Sequence, residues 1–150
     1  MTGVAMAAMA PAHPYRILLV EDDPGDAMLV EEALLDGAED RSVVQVSDGV
    51  AALEYLRDTA QPRPDLIVLD LNMPRMNGAE TLKALKEDEA LKSIPTVILT
   101  TSAASQDVSA AYATYASAYV VKPVNLDDFI SAVRNIDTFY REFAEHPPND

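Results

Sequence analysis

Four short apolar runs in this chain each deliver polar side chains at their carboxyl ends. Arg16-Ile17-Leu18-Leu19-Val20 opens into Glu21-Asp22-Asp23, and Asp65-Leu66-Ile67-Val68-Leu69 opens into Asp70. Thr96-Val97-Ile98-Leu99 leads to Thr100-Thr101-Ser102, and Tyr119-Val120-Val121 leads to Lys122-Pro123. Carboxylates packed together repel, and one of them tends to take up a proton unless a cation removes the penalty. Mg²⁺ suits a few carboxylate and carbonyl oxygens with waters completing its octahedron. The expected ligands are Asp22 and Asp70 directly, Glu21 through a water, and the backbone carbonyl of Asn72. Asp23 reads instead as a helix N-cap. Phosphoryl transfer is mostly positioning and charge stabilisation, which a carboxylate, a metal ion, a hydroxyl and a lysine can supply together. Asp70 could then be the nucleophile, forming an aspartyl phosphate. The Thr100 hydroxyl and Lys122 would each hold one phosphoryl oxygen.

None of these residues carries the argument alone. An acid pair such as Glu21-Asp22 is usually solvated surface, a strand-end threonine usually bonds to backbone, and most lysines lie in water. Asp70 is more telling, because burying a charge at the end of an apolar strand is costly without a purpose. The Lys122-Pro123 bond is a candidate cis peptide, which would aim the ammonium into the pocket.

The apolar runs are separated by helix-length segments, so they read as buried strands of a parallel sheet. Asp23-Pro24 is a strong helix start, and the helix carries Ala27, Met28, Val30, Leu34 and Leu35 before stopping near Gly37. Ser42 to Val46 is a short second strand. Ser47-Asp48-Gly49 turns into a helix with Val50, Leu53 and Leu56 facing in. Pro62-Arg63-Pro64 precedes the third strand, and Asn77-Gly78 starts a third helix with Leu82 and Leu85. A fourth helix begins at Ser105 or Gln106. Asn125 caps a fifth with Leu126, Phe129, Ile130, Val133 and Ile136 at helical spacing. Five such units predict a doubly wound five-stranded parallel sheet flanked by five helices. With the first strand beside the third, Glu21, Asp22 and Asp70 meet at the switch point outside the strands' carboxyl ends.

The chain has 150 residues and a formal net charge of −14, with 25 acids against 11 bases. One domain with a substantial core is expected at this length. The acidity and the lack of a basic run argue against nucleic acid and against an anionic membrane surface. Without cysteine there is no disulfide, thiol chemistry or cysteine zinc site. His13 and His146 lie near the ends, which disfavours a histidine metal site or a Ser-His-Asp triad. Residues 1–14 lack the positive charge of a secretory signal and the length of a membrane span, so they read as a mobile lead-in. A cytoplasmic protein is the expectation.

In order and at these spacings, the four polar strand ends and Leu69-Asp70-Leu71-Asn72-Met73-Pro74 resemble the receiver domain of two-component response regulators. The resemblance spans Tyr15 to about Asp137 and implies the strand order 2-1-3-4-5. Leu91-Lys92-Ser93-Ile94-Pro95 and Lys122-Pro123-Val124-Asn125-Leu126-Asp127-Asp128-Phe129 further resemble stand-alone receivers that partner phytochrome-type histidine kinases. What this implies is phosphorylation of Asp70 by a histidine kinase or histidine phosphotransfer protein, dependent on Mg²⁺, with Mn²⁺ as a substitute. Thr100 would move toward the phosphoryl group and Tyr119 would turn inward behind it. Asn72 and Ser102 match the positions with which the family tunes hydrolysis of the acyl phosphate.

The expected division is a lead-in over 1–14, a receiver with an extended last helix over 15–144, and a tail over 145–150. Thr138 to Asp150 is too short for an output domain, so the output is expected to be a protein contact. Phe139, Tyr140 and Phe143 could fold back on the last helices. Alternatively, with Tyr112, Tyr115 and Tyr119, they extend a homodimer face, as the resemblance and exposed apolar surface suggest. Two rivals remain. A phosphorylation-independent scaffold would keep the fold alone, although the polar residues are all present. A Mg²⁺ phosphatase with an aspartyl nucleophile wants a second acid two residues later, where this chain has Asn72. A nucleotide-binding module lacks its glycine-rich loop after the first strand.

Overall fold

The computed structural model describes residues 14–35, 41–71, 73, 75–101, 105–123 and 125–139. Asn72, Ser102, Tyr140, Phe143, the 145–150 tail and all of the lead-in except Pro14 lie outside the described residues. Strands β1 (Tyr15–Val20), β2 (Arg41–Val46), β3 (Leu66–Leu69), β4 (Thr96–Thr100) and β5 (Ala118–Val121) alternate with five helices. These are α1 (Pro24–Leu35), α2 (Gly49–Arg57), α3 (Gly78–Glu87), α4 (Ser105–Ala113) and α5 (Leu126–Thr138). All strand pairs are parallel, in the order β2-β1-β3-β4-β5 expected from the sequence.

Successive side chains on a strand point to opposite faces, and both faces here are covered. Ile17, Leu19, Leu66, Val68, Val97 and Leu99 pack against Val30 and Leu34 of α1 and Phe129, Val133 and Ile136 of α5. Leu18, Val20, Ile67, Leu69 and Ile98 face the other way, onto Leu53 of α2, Leu82 and Leu85 of α3 and Ala111 of α4. That is why the central strands read as unbroken apolar runs rather than alternating ones.

Caps set where each helix starts, and so where each strand must end. Asp23 Oδ1 accepts from the N–H groups of Gly25 at 2.8 Å and Asp26 at 3.2 Å, with Pro24 at the first helical position. Asp48 accepts from Ala51 N–H, and Asn125 from Asp128 N–H. Asn77 and Glu80 form a reciprocal capping box at the start of α3. The Lys122-Pro123 bond is trans, contrary to the cis candidate. The trans isomer is the intrinsically favoured one, and β5 already directs Lys122 toward the pocket without a backbone reversal.

Candidate functional site

The sheet register brings the polar strand ends together. Asp70 N–H donates to the Val20 carbonyl at 3.0 Å, and Glu21 N–H donates to the Val46 carbonyl at 3.0 Å, so Asp70 sits beside the end of β1. Carboxylate oxygens of Glu21, Asp22 and Asp70 lie within 4.8 Å of one another. Glu21 and Asp70 are buried, while Asp22 opens to solvent. Gln45 Nε2 donates to the Glu21 carbonyl at 2.6 Å and to the Val46 carbonyl at 3.1 Å, fixing the outer side of the same corner.

From the other side of β3, Lys122 N–H donates to the Thr100 carbonyl at 2.7 Å, which aligns the ends of β4 and β5. Thr100 is fully buried. The Lys122 ammonium donates to Glu21 Oε1 at 2.6 Å and Asp26 Oδ2 at 2.8 Å, with Asp70 Oδ2 at 3.8 Å. Burial raises the Glu21 carboxyl strongly; the Lys122 hydrogen bond opposes this and the Asp70 charge reinforces it, leaving Glu21 at about 7. Desolvation therefore outweighs even a direct bond to an ammonium. Burial pulls Lys122 down, but hydrogen bonds to Asp26 and Glu21 and the charges of Glu21 and Asp70 leave it above its ordinary value.

A cluster of acids, one of them driven toward neutrality, has the donor chemistry for a hard divalent cation. A buried carboxylate with an ammonium beside it has the charge complementarity to hold an anionic group such as a phosphoryl. Residues 17–134 match the family model for the response regulator receiver domain. The chain belongs to that family.

This receiver is 40% identical over 138 residues to response regulator Rcp1 of Synechocystis sp., covering 89% of this chain and 94% of Rcp1. The crystal structure of the Mn²⁺-bound form of Rcp1 superposes on the receiver with a TM-score of 0.84, covering 89% of this chain and 99% of that one. The phosphorylated cyanobacterial phytochrome response regulator RcpA superposes with a TM-score of 0.85 at 40% identity, covering 91% and 99%.

Two features of the receiver's site escaped sequence reasoning. Asp26, in the first turn of α1, is a second close partner of Lys122; an acid there reads as a favourable charge on a helix N-terminus and draws no further notice. The second feature lies on the segment after Asp70. Arg75 takes a left-handed φ of 62° and holds Asp48 with two bonds, Nε–Oδ2 at 2.8 Å and Nη2–Oδ1 at 3.1 Å. Arg75, and then Ala51 N–H, hold the Asp48 carboxyl below its ordinary value. Gly49 N–H also donates to the Met76 carbonyl at 3.1 Å, so the start of α2 pins the segment that follows Asp70.

The expected aromatic face divides. Tyr112, Tyr115 and Phe139 are exposed, whereas Tyr119 is half-buried, its N–H donating to the Tyr112 hydroxyl at 3.1 Å. Tyr115 is 77% exposed and carries a φ of 66° just past α4.

Proposed function

We propose that this receiver accepts a phosphoryl group on Asp70 from a histidine kinase or histidine phosphotransfer protein and signals through changed protein contacts. The carrying observation is a buried strand-end aspartate with two further acids within 4.8 Å and an ammonium 3.8 Å away. A Mg²⁺ ion would be held by Asp22, Asp70 and the Asn72 backbone carbonyl, with Glu21 acting through a water and Mn²⁺ able to substitute. When bound, it would neutralise phosphoryl oxygens. The Asp70 carboxylate attacks phosphorus, an O–P bond forms and the donor's N–P bond breaks. The donor ring, protonated at its other nitrogen, leaves as neutral imidazole. Thr100 and Lys122 take phosphoryl oxygens, Tyr119 follows Thr100, and Asn72 and Ser102 tune hydrolysis. The likeness to Rcp1 and RcpA supports a phytochrome-type kinase as partner. The receiver unit would run over 15–144 in a cytoplasmic protein; among the described residues, no helix is long and apolar enough to cross a membrane.

Incubation with acetyl phosphate and Mg²⁺, followed by phosphate-affinity electrophoresis, tests the reading. A shifted band that EDTA abolishes is expected. A folded, Mg²⁺-binding protein that stays unlabelled by both acetyl phosphate and a purified cognate-type kinase would favour the scaffold reading.

The pocket's pH behaviour follows from Glu21. Its folded value of about 7 lies above the ordinary 4.5, so the stability this group contributes is present below 4.5 and is lost as pH rises through about 7. A cation must displace that proton. The rise in thermal midpoint on adding Mg²⁺ should therefore be larger at pH 8 than at pH 6, and an equal rise at both would contradict the assignment.

The exposed Tyr112, Tyr115 and Phe139, with Val121 on the edge strand β5, support a homodimer face over α4, β5 and α5, extended by Tyr140 and Phe143. Asparagine tolerates a left-handed φ better than tyrosine. Tyr115→Asn should therefore keep or raise the thermal midpoint while converting dimer to monomer in light scattering at high micromolar protein. A wild-type monomer under those conditions would rule the dimer out.

A further inference from the structure

An ammonium has three hydrogens to donate, and that of Lys122 is surrounded by three carboxylates. Two of them take hydrogen bonds, Glu21 at 2.6 Å and Asp26 at 2.8 Å, while Asp70 stands off at 3.8 Å. The three acids differ in what else they do. Glu21 and Asp70 belong to the acidic cluster with Asp22; Asp26 does not. A cation drawn to that cluster would divert charge from Glu21 and none directly from Asp26. Asp26 is also firmly presented: it lies in the first turn of α1, its own N–H bonded to the Asp23 cap. Its side chain is 31% exposed, so its bond to a buried lysine reaches inward from solvent rather than filling the core.

Without Asp26, the remaining carboxylate beside the ammonium, apart from Glu21, is that of Asp70 at 3.8 Å. A lysine seated there would occupy the oxygens that a cation and a phosphoryl donor need, and would repel the cation. We infer that Asp26 is a positioning residue, holding Lys122 off the acceptor carboxylate until a phosphoryl group on Asp70 extends into the ammonium's reach. The inference rests on the phosphoacceptor reading of Asp70, but its test needs no phosphoryl donor.

Mg²⁺ affinity is measured by titration calorimetry on the full chain as wild type, Asp26→Asn, Lys122→Met and the double variant. Asp26→Ser serves as a second first-turn substitution, and melting in EDTA establishes that each variant is folded. Asp26→Asn should weaken Mg²⁺ binding roughly fivefold, within the coupling range of groups in contact. In the Lys122→Met background the same change should alter affinity less than about twofold, because no ammonium remains to fall on Asp70. An equal loss with and without the lysine would mean that Asp26 is only one more negative charge, and would overturn the inference. So would unchanged affinity in Asp26→Asn, or a wild-type chain that binds no Mg²⁺. If the cycle behaves as expected but Asp70 takes no label, the phosphoacceptor reading falls and the lysine restraint stands.

Discussion

Asp70→Asn should abolish labelling by acetyl phosphate, by at least about a thousandfold, the scale on which loss of a reacting nucleophile is felt. The expectation is specific to this carboxylate among the chain's 25 acids. Asp70 is held by its own N–H to the Val20 carbonyl, and it is buried where β3 ends. Asp22 is exposed and Glu21 is spent on Lys122, so neither neighbour presents an oxygen in the same place. An amide of nearly the same shape keeps the packing and loses the nucleophile. It also removes a charge that helps to push Glu21 up to about 7. In EDTA above neutral pH, relief of that repulsion should leave the variant melting at least as high as wild type. Loss of label together with preserved or raised stability identifies a chemical role. A labelled Asp70→Asn protein would move the acceptor elsewhere.

The strands and the acidic corner were legible because the same physics writes them into the sequence. A strand covered on both faces must be apolar throughout, so a polar residue at its end stands out, as Asp70 does after Leu66–Leu69. Helix starts were legible because Asp23, Asp48, Asn77 and Asn125 are short polar side chains that bond to the first turn. What stayed hidden lacks a residue-type signature. Arg75 and Tyr115 have positive φ, yet neither is glycine or asparagine, so nothing in their identity announces the conformation. Asp26 is ordinary for a first helical turn, and only the three-dimensional approach of β5 shows that it meets a lysine 96 positions later. The trans bond before Pro123 corrects an expectation that relied on a dipeptide where the strand direction sufficed.

Gly78→Ala is expected to damage both stability and metal binding. A Cβ built there would lie 2.2 Å from the Asp70 carbonyl oxygen, 2.6 Å from Leu71 Cα and 2.9 Å from the Asp70 carbonyl carbon. All three are backbone atoms, so no rotamer change can relieve the overlap. Either α3 moves outward or the chain at Asp70 moves into the pocket. The first option breaks the 2.9 Å bond from Gly78 N–H to the Leu71 carbonyl and disturbs the Asn77–Glu80 capping box. The second displaces the Asp70 carboxylate relative to Glu21 and Asp22. Overpacking of this kind costs roughly 3 kcal/mol where backbone must shift. Gly25→Ala is the natural control, because its Cβ would meet only Asp23 Oδ1, a side-chain atom, at 3.2 Å. That change should stay within about 1 kcal/mol of wild type, since alanine's helix preference offsets the contact. Urea denaturation with and without Mg²⁺ separates the two: Gly78→Ala should lose both midpoint and the Mg²⁺-induced increment, while Gly25→Ala keeps the increment. If Gly78→Ala retained wild-type stability and Mg²⁺ response, the close approach of α3 to the Asp70 backbone would not be what fixes the Asp70 carboxylate in place.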